Sequence, residues 1–142
     1  MYEYKCKVLK VVDGDTVDVL ADLGFSIFHK CRVRLYGIDT PESRTRDLDE
    51  KARGKLASKY LKDSVESADE LILRSELKDS KGKYGRVLGT LLADGLDLNK
   101  SMVAQHLAVE YFGQSKADVE AEHKANRQIL IDSGAYVPDS DI

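Results

Sequence analysis

The sequence predicts an α+β fold, a small β-barrel with helices inserted into it and appended to it, and three observations predict it. The first forty residues are rich in Val, Ile, Tyr and Phe and are broken by Asp13-Gly14 and by Gly24, the punctuation expected between strands. From Asp49 onward the apolar residues recur at helical spacing. Beyond them, two strand-like runs precede two helical stretches, so the elements are grouped by type instead of alternating as in a parallel α/β sheet.

Taken in order, residues 3 to 12, 16 to 21 and 26 to 36 read as three strands of a meander. Ala52, Leu56 and Tyr60, with Ala57, Leu61 and Val65 beside them, form the stripe of an amphipathic helix that runs to about Ser67, and either Asp47 or Asp49 is suited to cap it. "LILRSEL" at 71 to 77 and "RVLGTLLA" at 86 to 93 read as two more strands joined by the polar loop "KDSKGKYG". Asp97 to Leu107 and Lys116 to about Ile131 complete the chain as helices.

With 142 residues, 42% of them apolar, and no repeat or low-complexity linker, residues 1 to 142 are expected to form one domain around one core. No apolar run reaches the length of a membrane span, and the N-terminal "MYEYKCKVLK" lacks the apolar segment of a secretory signal. A cytoplasmic monomer with no membrane partner is the expectation; removal of a leader would instead make it a secreted protein, and a viral gene is an open source. Two cysteines, Cys6 and Cys31, are too few for a disulfide framework or a cysteine metal site. The net charge of −3 argues against a protein that coats nucleic acid nonspecifically, yet cations gather at Arg32, Arg34, Arg44, Arg46, Lys81, Lys83 and Arg86.

Four short stretches can carry chemistry, and each alone has an ordinary explanation. "DGDT" at 13 to 16 is a tight-turn signal, and "IDTPE" at 38 to 42 reads as a strand end followed by a proline turn. "KYGR" at 83 to 86 lies in a polar loop, and Tyr111 and Phe112 of "EYFG" are candidate core aromatics. Together their chemistries are complementary. Asp15 and Asp39 are hard oxygen ligands of the type Ca2+ or Mg2+ takes, and the carbonyl of a neighbour such as Thr40 can join them. Glu42, just beyond Pro41, is placed to take a proton from water, and Arg34 and Arg86 are suited to a shared phosphate.

"VVDGDTVDV", "RVRLYGIDTPES" and "KGKYGRVLG", followed by "LDLNKSMVAQHLA", resemble the staphylococcal nuclease (thermonuclease) family over roughly residues 5 to 113. The resemblance implies a five-stranded OB-type barrel with about three helices. It also implies calcium-dependent hydrolysis of DNA and/or RNA that leaves 3′-phosphate ends, with Mg2+ or Mn2+ as other ions the site can take. By the match, Asp15, Asp39 and the Thr40 carbonyl are the metal ligands and Asp13 supports them. Glu42 is the general base, Arg34 and Arg86 are the phosphate-clamping arginines, and Lys83 and Tyr84 hold a neighbouring phosphate. Tyr111 and Phe112 match the family's base-contacting aromatic pair. "ADLGFSIFHKC" at 21 to 31 is longer than the corresponding segment of the family's secreted bacterial enzyme, and it is expected to reshape the rim of the site. Tyr136 stands where a packing tryptophan is common, and His29, His106 and His123 match no family role and are expected at the surface or in packing. A noncatalytic nucleic-acid-binding module on the same barrel is the alternative reading, distinguished by whether Asp15, Arg34, Asp39, Glu42 and Arg86 are all present; they are.

Overall fold

The computed structural model describes residues 2–76 and 87–138. Strands β1 (Glu3–Asp13), β2 (Thr16–Asp22) and β3 (Phe28–Leu35) form the expected antiparallel meander. Two register shifts in β1, between Val8 and Lys10 and between Val11 and Asp13, bend it in the way bulges bend a strand that must curl into a barrel. β4 (Ile38–Asp39) follows, and helix α1 (Leu48–Ser67) leads into β5 (Leu71–Ser75), which pairs with β1. β6 (Val87–Ala93) runs antiparallel to β5 and parallel to β3, and this last pairing closes β1, β2, β3, β6 and β5 into a five-stranded barrel. The remaining elements are β7 (Leu96–Asp97), α2 (Leu98–Ala104), β8 (Val109–Glu110) and α3 (Lys116–Asp132). β8 pairs with β4 in a separate two-residue ladder.

Alternation decides what fills the barrel. Val17 and Val19 of β2, Val33 and Leu35 of β3, and Leu73 and Leu91 of β5 and β6 point inward and are almost fully buried. α1 closes one side with Ala57, Leu61 and Val65, and α2 contributes Leu98 and Met102. Of the two stripes that the sequence suggests for α1, the one holding Ala57 faces the core, whereas Ala52, Leu56 and Tyr60 are only partly covered. Tyr60 uses its position to exchange a short hydrogen bond between its hydroxyl and Ser101 Oγ, which ties α1 to α2. Cys6 and Cys31 are free thiols packed at the edge of the core, and burial pushes the Cys6 thiol up to about 11.

Capping settles the helix starts. Asp47 is the N-cap of α1 and accepts from the backbone N–H groups of Asp49 and Glu50, each at 3.1 Å. That frees Asp49 for another task. Its Oδ2 accepts from Arg53 Nε at 3.0 Å and Arg127 Nε at 2.9 Å, and its Oδ1 accepts from the Tyr136 hydroxyl at 2.5 Å. Helix α3 buries only Val119 and Leu130, so this carboxylate hub, together with Asn126 Nδ2 donating to Ala108 O at 3.1 Å, does much of the docking. Tyr136 is buried, as expected of an aromatic in the tryptophan's place.

Burial raises the Asp49 carboxyl, but the bonds from Arg127, Tyr136 and Arg53 outweigh it and hold the group below the ordinary carboxylate range. Its share of stability is therefore present above the unfolded-state pKa and lost as pH falls through the lower folded value. The Tyr136 phenol is pushed up to about 12, by burial first and then by Asp49, so its share is complete below the unfolded-state value and is lost as pH rises through about 12. Tyr136→Phe is expected to lower stability at neutral pH by about 1–2 kcal/mol and the melting midpoint by several degrees. It should also remove part of the alkaline loss, which melts recorded between neutrality and strong alkali will check.

Candidate active site

Six of the residues singled out in the sequence meet at one end of the barrel. Asp13 and Asp15 flank Gly14 in the turn that joins β1 to β2, Arg34 is the last residue but one of β3, and Asp39, Thr40 and Glu42 follow within eight residues. The register explains the convergence, because Thr16 stands opposite Arg34 and the Leu35 N–H donates to the Asp15 carbonyl at 2.8 Å. The end of β3 and the start of β2 are thereby one place.

Arg34 sits between the acids. Its Nη1 donates to the carbonyls of Ile38 at 2.8 Å and Leu35 at 3.1 Å and lies 3.5 Å from Asp15 Oδ2, while Nη2 lies 3.6 Å from Asp39 Oδ1. Two carbonyls fix the plane of the guanidinium before any substrate arrives. Asp15 also accepts from the Thr16 hydroxyl at 3.0 Å and the Thr40 N–H at 3.3 Å, yet burial, the largest influence, leaves its carboxyl raised despite Arg34. Glu42 is raised too, by burial first and then by Asp13, Asp15, Glu50 and Asp39. Among the described residues, Asp13, Asp15, Asp39 and Glu42 thus place four carboxylates around the one guanidinium of Arg34.

Glu42 projects from a segment held on three sides. Its N–H donates to Glu50 Oε2 at 3.0 Å, and Ser43 Oγ donates to Asp13 Oδ1 at 2.6 Å, which makes Asp13 a tether for the loop. The third hold is Gly54 of α1. A Cβ there would stand 2.7 Å from the Glu42 carbonyl and from Pro41 O, closer than real side chains approach backbone. Alanine is the better helix former, so Gly54 is retained against propensity to let the Pro41-Glu42 backbone lie on the helix. Gly54→Ala is expected to displace Glu42 and to lower kcat/KM for phosphodiester cleavage about tenfold, with any change in melting midpoint recorded alongside.

The aromatic pair is anchored beside this end. Asp39 pairs with Val109 across the β4–β8 ladder, and the Tyr111 N–H donates to Gly37 O at 2.8 Å. Phe112 packs edge-on against Tyr36, with ring centroids 5.9 Å apart, and both Tyr111 and Phe112 remain exposed. Lys83, Tyr84 and Arg86 lie outside the described residues.

Two expectations need correction. His123, assigned to surface or packing, instead reaches from α3 to the site, where Nε2–H donates to Asp39 Oδ2 at 2.9 Å. The long connection between β2 and β3 does not border the site: Asp22 pairs with Phe28 at the end of the ladder opposite to the Thr16–Arg34 pair. Asn99 is a residue whose importance sequence reading missed. Buried under β6, its side chain accepts from the Leu91 N–H at 3.3 Å and donates to Tyr36 O at 3.0 Å and Gly89 O at 3.1 Å, fixing α2 against the strand and the turn that precede the site. Its place in "LDLNK", just inside a helix capped by Asp97, was the available signal.

Among the described residues no group of three or more His, Cys, Asp or Glu side chains is arranged to hold a metal ion. Asp15 and Asp39 nevertheless offer hard oxygens, a donor set that suits a hydrated divalent cation bound through one or two carboxylates.

A family model described as "Staphylococcal nuclease homologue" matches residues 32–129. The SPbeta prophage-derived endonuclease YokF of Bacillus subtilis (strain 168) is 30% identical over 139 residues, 92% of this chain and 45% of that protein. Endonuclease YncB of the same organism is 28% identical over 137 residues, covering 90% of this chain and 62% of that one. Protein ParB of Escherichia coli is 35% identical over 130 residues, 83% of this chain and 64% of its own length. The chain thus spans between 43% and 64% of the lengths of five of the curated relatives it matches.

Proposed function

The chain belongs to the staphylococcal nuclease family, and from that premise we propose that it is a metal-dependent nuclease that hydrolyses phosphodiester bonds of DNA, RNA or both and leaves 3′-phosphate ends. The observation that carries this reading is the meeting of Asp15, from the β1–β2 turn, with Arg34, Asp39 and Glu42, from the stretch 34–42, at one end of the barrel.

A divalent cation held by Asp15 and Asp39, with Ca2+ the first candidate and Mg2+ or Mn2+ the others, would supply neutralisation of phosphate charge. Glu42, exposed and with its basicity raised by burial and by neighbouring carboxylates, accepts the proton of the attacking water. Arg34, its plane already fixed by the Leu35 and Ile38 carbonyls, stabilises the charge that gathers on the phosphoryl oxygens as the water adds and the P–O5′ bond breaks, the departing 5′-oxygen taking a proton from solvent. His123 holds one oxygen of Asp39 and so keeps that carboxylate aimed.

Purified protein incubated with plasmid DNA and with single-stranded RNA, each with Ca2+, Mg2+, Mn2+ or a chelator, tests the reading. Cleavage that requires a divalent ion and yields 3′ ends that a polymerase extends only after phosphatase treatment supports it. Binding without cleavage under every ion would assign the noncatalytic alternative, and cleavage in excess chelator would remove the metal.

A further inference from the structure

The outer face of β3 points away from the core and leads out of the site. Arg34, Arg32, Lys30 and Phe28 alternate along it, so their side chains share one side of the sheet at a repeat of about 6.6 Å. The ladder sets Lys10 and Asp18 beside Arg32, and Lys7 and Leu20 beside Lys30. Asp18 is answered by a two-pronged bond from Arg32, at 2.8 and 3.1 Å, and by the opposing Lys10. Lys7, Lys10, Lys30 and Arg32 are all exposed, so this face is positive on a chain whose net charge is −3.

Beyond Lys30 the strand end and the turn before it expose apolar side chains, with Asp22 paired across from Phe28. Phe28 is 57% exposed, Ile27 56% and Phe25 99%. The turn that presents them is closed by Leu23 N–H to Ile27 O and Ile27 N–H to Gly24 O, both at 2.9 Å. Gly24, Phe25 and Ser26 all take positive φ, at 85°, 53° and 62°. Only the glycine adopts that conformation without strain. A phenylalanine held in a strained backbone with its ring in solvent buries no apolar surface, and such strain gathers where a segment contacts a ligand.

We propose that this face is a track for the single strand beyond the scissile bond, running about 20 Å from Arg34 along Arg32 and Lys30 to bases stacked on Phe28 and Phe25. The inference rests on the nuclease reading and extends it, because the track begins at the arginine that the site uses for phosphate. Lysines spaced along a strand follow a phosphate backbone, and exposed aromatic rings accept any base, which is the combination that binds single strands without reading sequence. Continuity with the site favours nucleic acid over an anionic membrane, which a basic face with an aromatic tip also suits.

Anisotropy of labelled single-stranded oligonucleotides of about three and about twelve nucleotides provides the test, with the Glu42→Gln protein as the cleavage-suppressed parent. The parent is expected to bind the longer strand at least tenfold more tightly, and both Lys7→Gln/Lys30→Gln and Phe25→Asn/Phe28→Ser should lose most of that gain. The lysine pair should also lower the slope of log affinity against log salt by about 1.4, the loss of two phosphate contacts on a single strand. Phe25→Asn relieves the left-handed strain and offsets the loss of the part-covered Phe28 ring from β3, so the aromatic variant should melt within a few degrees of the parent, which separates lost binding from lost fold. Lys62→Gln on α1 is the control for charge alone and should leave the length dependence intact.

A length gain that survives in both double variants overturns the track, as does an equal loss in Lys62→Gln. Loss of binding to phosphatidylglycerol vesicles with oligonucleotide binding retained would assign the face to a membrane surface instead. A parent that binds neither oligonucleotide overturns the nuclease reading itself, and the track with it.

Discussion

Replacing Glu42 with glutamine is expected to lower kcat about 100-fold or more while leaving the affinity for an oligonucleotide unchanged or slightly higher. The substitution keeps the shape of the side chain, and its backbone stays fixed by the bond to Glu50 and the contact with Gly54. What disappears is the basic lone pair. The charge change acts in the opposite sense on binding, because Glu42 stands among Asp13, Asp15, Asp39 and Glu50, whose combined field repels phosphate. A catalytic base is thus separable from a binding residue by this variant: single-turnover cleavage should collapse and anisotropy should not. Near-normal turnover would take the role of base away from Glu42.

Arg34→Lys is expected to be as severe, with kcat/KM reduced about 100-fold although the charge is kept. The guanidinium is a planar fork whose Nη1 satisfies two carbonyls and approaches Asp15 while Nη2 faces Asp39. A lysine ammonium is a single point on a flexible stem. It cannot hold the two carbonyls and also present charge toward Asp39 and the phosphate, so the carboxylates lose the group that sets their separation. Steady-state kinetics on a defined oligonucleotide, compared with the melting midpoint, will show whether the loss is catalytic. Wild-type kcat/KM in Arg34→Lys would mean that charge alone suffices.

Much of the barrel was legible because its signals are local. The alternation in "TVDVLAD" and the Asp13-Gly14 turn specify β2 and its connection without reference to anything distant. The strands β4, β7 and β8 were not legible, since two residues cannot display a period. Helix α2 ends at Ala104, short of Leu107, because His106 takes a positive φ of 62° and the chain turns toward β8. No residue in "AQHLA" announces that turn.

The sequence by itself determined the order of elements and the chemistry at stake. Asp15, Arg34, Asp39 and Glu42 are unusual enough in combination, each beside its own turn or strand end, that their joint use could be read from the chain. Tertiary structure decided which groups touch. His123 reaches Asp39 across 84 positions of sequence, and Asp49 gathers Arg53, Arg127 and Tyr136 instead of capping its own helix. Gly54 matters only because the Glu42 backbone lies on it. The outward row on β3 leads away from the site only because the ladder register puts Arg34 at one end and Phe28 at the other. Periodicity and turn chemistry are properties of neighbouring residues, so a sequence displays them directly. A contact between distant segments depends on how the closed barrel and its helices pack, and it exists only once the chain has folded.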